Sequence, residues 1–183
     1  MKKWFAYAGI AASAILIAFG IGSITIGAMG VNEVRDTLAR ENIVGTPDSS
    51  IPGQKVDTGS EAKAFANVMR HHTLEATGGQ VYADMGRFLD ANGKPTSDEK
   101  LAAKDASGQP IANRARDLWV TETALTTALN TSFFAERVAW FSIAMGAALL
   151  LTGIGFGVLT LGALGWSPVA KRAEALDTAP IPA

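Results

Sequence analysis

The chain has 183 residues, 48% of them apolar and only 18% charged, and 16 Lys or Arg against 17 Asp or Glu leave a formal net charge of -1. That length suits one modest domain, and the charge balance offers no basic footprint for nucleic acid. There is no cysteine, which excludes disulfides, thiolate chemistry, Cys-ligated zinc and iron–sulfur clusters.

The apolarity is concentrated in two blocks. Residues 4–30, WFAYAGIAASAILIAFGIGSITIGAMG, carry no charge, and neither do residues 138–165, VAWFSIAMGAALLLTGIGFGVLTLGALG. Each exceeds the roughly 20 residues that a helix needs to cross a hydrocarbon core about 30 Å thick. Both are predicted transmembrane helices. A cleaved signal peptide competes for the first block, because Lys2 and Lys3 make a basic start and Ala28-Met29-Gly30 offers small residues for cleavage. The apolar run is about twice the usual 7 to 15 residues of a signal peptide, which favours an uncleaved anchor.

Lys2 and Lys3 before the first block, with Lys171 and Arg172 after the second, predict that both termini are cytoplasmic. Residues 31–137 then form an extracytoplasmic domain between the two membrane helices. Arg35, Arg40 and Arg137 near the membrane oppose this bias mildly, since long loops translocate largely regardless of charge.

Beyond the first block, Val31, Val34 and Leu38 recur at spacings of three and four, so the helix is expected to continue to about Ile43. VGTPDSSIPGQKVDTGS then reads as a loop, part of it extended against the domain. Ser60 is the expected N-cap of a helix over EAKAFANVMRHHTLEAT, Glu61 complements its dipole, and Gly78 and Gly79 are its expected C-cap. Phe65, Val68, Met69, His72 and Ala76 make one stripe, which turns His72 inward and leaves His71 wet.

Val81, Tyr82, Met85, Phe88 and Leu89 suggest a second helix ending at NGKP, and Thr96 with Glu99 suggests a capping box for a short charged helix. A longer helix is predicted from Ile111, with a stripe of Ile111, Ala115, Leu118, Thr121, Leu125 and Leu129 and an interruption at Asn130-Thr131-Ser132. The tail over 166–183, 17 residues of it after Trp166, is expected to be disordered. The predicted fold is thus an all-α membrane protein, with two transmembrane helices (4–30 and 138–165) flanking a small extracytoplasmic helical bundle.

MRHHTLEATGGQVYADM holds both histidines. Two histidines and a carboxylate can form a non-haem iron triad, but His71 and His72 diverge by about 100° on a helix. At most His71 with Glu75, or His72 with Glu75, supplies two ligands. The competing reading makes His72 a packed histidine, and a metal enzyme would need further ligands such as Asp84 or Glu122. The double glycine lacks the Lys-Ser/Thr pair of a phosphate loop. No serine stands at a suggestive spacing from a histidine. No catalytic residue and no cofactor is predicted.

SEAKAFANVMRHHTLEATGGQVYADM resembles the helix, histidine, double glycine and TYA-like segment of a family of actinobacterial two-helix membrane proteins of uncharacterised function, some labelled aromatic ring-opening dioxygenases. The resemblance covers most of the chain and falls on Ala62, Ala64, Phe65, His72, Gly78, Gly79 and Tyr82. Val81 replaces a threonine of the pattern, and His71 is additional to it. The resemblance implies the two-helix membrane architecture and no established activity, and these residues do not support a dioxygenase.

Gly153 and Gly157 form a GxxxG pattern, and Ala18 with Gly22 and Ser23 with Gly27 form small-xxx-small patterns. These suit packing of the two helices on each other or on a partner. Neither block holds Asp, Glu, Lys, Arg or His, which disfavours a self-contained channel or pump. The sequence therefore predicts a non-catalytic accessory or interaction subunit of the cell membrane. Its partners are the lipid bilayer and a membrane protein partner or a homo-oligomer. An extracytoplasmic ligand sensor without its own output domain is the alternative, ahead of a metal-dependent enzyme using His72 and Glu75.

Overall fold

A computed structural model describes residues 2–163, and the expectations for the tail over 166–183 lie outside the described residues. The described chain is mostly helical. Helix α1 spans Lys2–Arg40, α2 spans Gly59–Ala76 and α3 spans Ala115–Ala163, with a short 3-10 turn at Tyr82–Asp84 and strands β1 (Phe88–Leu89) and β2 (Pro95–Thr96) between α2 and α3. Both α1 and α3 are long and apolar enough to cross a membrane. The described chain divides into two compact units, one built from residues 2–30 and 138–163 and the other from 31–137.

In the first unit, small residues recur every seven positions on both helices. Ser13, Gly20 and Gly27 on α1 and Ala139, Gly146 and Gly153 on α3 are all buried. A Cβ on Gly20 would lie 2.7 Å from the Leu150 backbone nitrogen, and one on Gly27 would lie 2.6 Å from the Ala139 carbonyl oxygen. The backbones therefore meet where side chains are missing, the condition for close helix packing in lipid. The Ser13 hydroxyl donates to the Gly153 carbonyl at 2.6 Å, and that of Ser142 to the Ser23 carbonyl at 3.3 Å. Gly27 and Gly153 thus lie on the seam, and Gly157 adjoins it, 2.8 Å from a built Cβ to Ser13 Oγ. Gly22 does not, because a Cβ there meets nothing within 4 Å. The helix turns it away from the seam that Gly20 occupies two residues earlier.

The second unit corrects several sequence expectations. Its core gathers Leu38 of α1, Val56, Ala62 and Ala66 of α2 and Leu129 of α3, with Val34, Ile43, Ile51, Phe65 and Met69 packed around them. The loop before α2 is partly extended, as expected, with Val44 bridging Lys55 and Val56 fully buried. Thr58 rather than Ser60 caps α2. Its side chain accepts from the Glu61 amide while Glu61 accepts from the Asp57 and Thr58 amides, a complete capping box. Partial burial pushes the Glu61 carboxyl up, but hydrogen bonds from Asp57 and Thr58 together outweigh it and hold the group below its ordinary value.

At its other end α2 stops as the double glycine requires. Gly78 N–H donates to the Glu75 carbonyl at 3.1 Å and Gly79 N–H to the Leu74 carbonyl at 2.7 Å, with φ of 62° and 79°. This is a Schellman end, whose left-handed backbone glycine adopts without a Cβ penalty.

Neither the second helix over 81–89 nor the charged helix after Thr96 forms. The antiparallel β1–β2 pair, with Phe88 opposite Thr96, and isolated bridges at Asp90–Ala102 and Lys104–Pro110 occupy that segment instead. Two like turns organise it. Asp90 Oδ1 accepts from the amides of Asn92 and Lys94, each at 2.8 Å, and Asp105 Oδ1 accepts from those of Ser107 at 2.8 Å and Gln109 at 3.0 Å. An aspartate that satisfies its own loop amides stabilises a turn over a helix.

Helix α3 starts at Ala115 rather than Ile111 and runs unbroken through Asn130-Thr131-Ser132. The hydroxyls of Thr131 and Ser132 donate to the carbonyls of Thr127 and Ala128 four residues back, so neither competes with the helix for its amides.

Candidate functional site

The two histidines do not converge. His72 Nε2 lies 2.6 Å from Asp48 Oδ2, and His71 Nε2 lies 3.2 Å from Glu75 Oε1. Their ring centroids are 6.4 Å apart and tilted by 45°. His72 is therefore not an inward-facing residue: its side chain is 45% exposed and reaches the loop that leaves α1. Glu75 pairs with the other histidine, so His72 and Glu75 do not act as a ligand pair. Among the described residues no group of three or more His, Asp or Glu side chains is arranged to hold a metal ion.

The Asp48 carboxyl is held below its ordinary value by the neighbouring Thr46 hydroxyl first and by the His72 ring second. The buried Thr46 hydroxyl meets no full hydrogen-bond geometry, so the 2.6 Å contact with His72 is the better-founded cause.

Tyr82, expected on the apolar face of a second helix, lies in the short 3-10 turn instead. It is 44% exposed and lies under the Arg116 guanidinium, 3.9 Å from its ring centroid. Arg116 also donates to the Met85 carbonyl at 2.6 Å, and the Trp119 indole donates to the Gln80 carbonyl at 3.0 Å. The segment after Gly79 is thus fastened to the first two turns of α3. Beside it lies an open groove of about 510 Å³, lined by Tyr82, Trp119, Val120, Thr123, Ala124 and Thr127. A second cavity of about 430 Å³ lies among Leu38, Ile43, Phe65, Met69, Leu125 and Leu129, with Thr37, Glu41 and Ser132 also in its lining.

Sequence reasoning overlooked Glu136. It is 5% exposed, its Oε1 accepts from Arg35 Nε at 3.3 Å, and its Oε2 accepts from the Gly59 amide at 3.0 Å. One carboxylate thus joins α1, α3 and the positive N-terminal end of α2. The pattern offered one signal, an acidic residue just before a long uncharged span.

The faces of α3 are the most informative feature of this unit. Trp119, Glu122, Thr126, Leu129 and Glu136 point inward and are buried. The sequence stripe containing Leu118 and Leu125 was misplaced: these residues are 42% and 48% exposed, and the buried stripe begins one residue later. On the far side Val120, Ala124, Thr127, Thr131 and Phe134 are all exposed, Val120 at 58% and Phe134 at 67%. Their spacing alternates four and three, so they form one stripe along the helix. Between Leu118 and Ala135 the only charge is Glu122, and it faces the core. A water-facing helix ordinarily carries its charges outward, so this arrangement is inverted.

The chain matches no family model, no curated protein and no solved structure.

Proposed function

We propose that this protein is a non-catalytic integral membrane protein of the cell envelope that acts as an accessory or interaction subunit. In this reading α1 and α3 cross the membrane, both termini are cytoplasmic, and residues 31–137 lie on the outer side. The inverted face of α3 carries the interaction role, because an uncharged, exposed stripe on a helix whose one intervening charge is buried is the surface expected where another polypeptide docks.

Extraction from native membranes in a mild detergent tests this role. The chain is expected to leave the membrane in a particle larger than one 19.1 kDa polypeptide. A lone chain in every detergent, or release from membranes by alkaline carbonate, would contradict it.

A further inference from the structure

We propose that the cavity enclosed by α1, α2 and the first half of α3, within residues 31–137, is a binding site for a small organic amine. The amine's apolar body lies on the cavity floor, and its protonated amino group meets Glu41 at the mouth. This site goes beyond the docking role and does not depend on it.

The cavity, about 430 Å³, falls within the roughly 300–1,000 Å³ of small-molecule sites. Its floor is apolar: Leu38 and Leu129 are buried, and Ile43, Phe65 and Met69 are half-buried around them. A ring and a flexible thioether from α2 accommodate an aliphatic or an aromatic body alike. Leu125 and Ala128 carry the apolar lining out to the exposed mouth. These side chains offer a polar body no hydrogen bond in exchange for the water it gives up, so the occupant's body is apolar.

The polar groups of the lining are Thr37, Glu41 and Ser132, and their hydrogen-bond roles select the head group. Glu41 is exposed and forms no ion pair among the described residues, and a carboxylate only accepts. Ser132 gives its proton to the Ala128 carbonyl at 3.2 Å, so its oxygen is left to accept as well. The Thr37 oxygen accepts from Arg40 at 3.1 Å. Arg40 is held against its own helix by that bond and by one from Nε to the Asp36 carbonyl at 3.2 Å. Two acceptors, one of them charged, suit a cationic donor, and an ammonium brings three N–H groups. A carboxylate ligand would instead meet Glu41 as a like charge.

Met69 makes the test direct, because the chain has five methionines and this is the one that lines the cavity. The full chain, carrying carbon-13 methyl methionine in a mild neutral detergent, is titrated at neutral pH with 4-phenylbutylamine. The acid 4-phenylbutyrate and the alcohol 4-phenylbutanol serve as its anionic and neutral counterparts, and Met69→Leu identifies the signal. The Met69 methyl resonance is expected to move saturably with the amine. Met29 and Met145, exposed on the uncharged spans, should drift only in proportion to the amine dissolved in the micelle. Because Glu41 is exposed, its charge should give the amine about a three- to fivefold preference over the alcohol, and Glu41→Gln should remove that preference. Ala128→Phe, at the exposed mouth, is expected to abolish the shift with helical content retained. A Met69 signal that moves with none of the probes, that never saturates, or that Ala128→Phe leaves unchanged overturns the site. Binding of the alcohol or the acid as tight as that of the amine, or an amine preference that survives Glu41→Gln, overturns its assignment to amines.

Discussion

Replacing Glu136 with alanine should loosen α2 from both long helices at once. The Gly59 amide is buried and has Glu136 Oε2 as its acceptor at 3.0 Å, so truncation leaves a helix-terminal donor without that partner. A hydrogen bond to a charged group contributes about 1.5–3 kcal/mol, and an orphaned buried donor costs a similar amount. The ion pair with Arg35 adds little, because Arg35 is about half exposed and pairs of that kind contribute about 0–1 kcal/mol. Glu136→Ala is therefore expected to cost about 2–3 kcal/mol, which for a unit of this size lowers Tm by roughly 10–15 °C. Glu136→Gln keeps an acceptor of the same shape and should cost about half as much, and Arg35→Ala less than about 1 kcal/mol. Thermal unfolding in mild detergent gives the ranking, and hydrogen exchange over residues 59–62 locates it. Equal Tm losses for Arg35→Ala and Glu136→Ala, or unchanged exchange at the start of α2, would refute the role assigned to the Gly59 contact.

Four further outcomes are expected. Gly20→Ala forces the α1 and α3 backbones apart and should cost about 1–3 kcal/mol, whereas Gly22→Ala, with open space around it, should be neutral or stabilise its helix by up to about 1 kcal/mol; unfolding in denaturing detergent compares them. Thr58→Ala should remove about 1 kcal/mol through loss of the α2 cap, while Ser60→Ala at the originally expected position should change stability little, as chemical denaturation would reveal. Acid should act through Asp48 and Glu61. Their folded pKa values are depressed below 3.8 and 4.5, so their stabilisation is present above those values and lost as pH falls through the folded ones. Asp48→Asn should therefore flatten the acid limb of a stability profile by lowering stability slightly at neutral pH while leaving the acid end nearly unchanged. Finally, His72→Ala should alter Tm by no more than a few degrees, since it breaks one half-exposed contact and opens no cavity, and a large loss would return His72 to the core.

The long helices were legible because uncharged runs of this length have few other outcomes, and the Gly78-Gly79 stop because only a left-handed turn explains it. Three features were hidden for separate physical reasons. The seam between α1 and α3 follows small residues spaced seven apart, Ser13-Gly20-Gly27 against Ala139-Gly146-Gly153, whereas pairs four apart point to Gly22 as well. The segment over 80–114 contains apolar residues at helical spacing, but Asp90-Ala-Asn-Gly and Asp105-Ala-Ser-Gly are near-identical turn signals whose aspartates bind their own loop amides, and this local chemistry won over periodicity. His72 was assigned inward from its place on the α2 stripe. Asp48 lies 24 residues earlier in a loop, and no periodicity argument reaches a partner that the chain reversal alone brings near.

The interaction role depends most on whether another chain covers the stripe from Val120 to Phe134. Thr127→Cys in the full protein, treated with N-ethylmaleimide in intact native membranes and again after denaturation in dodecyl sulfate, measures that directly. A covered stripe predicts slow labelling in the membrane and rapid labelling after denaturation, with Leu125→Cys labelled readily in both. Equal and rapid labelling of Thr127→Cys before and after denaturation would mean that the face is bare in the cell, and the interaction role would have to be abandoned.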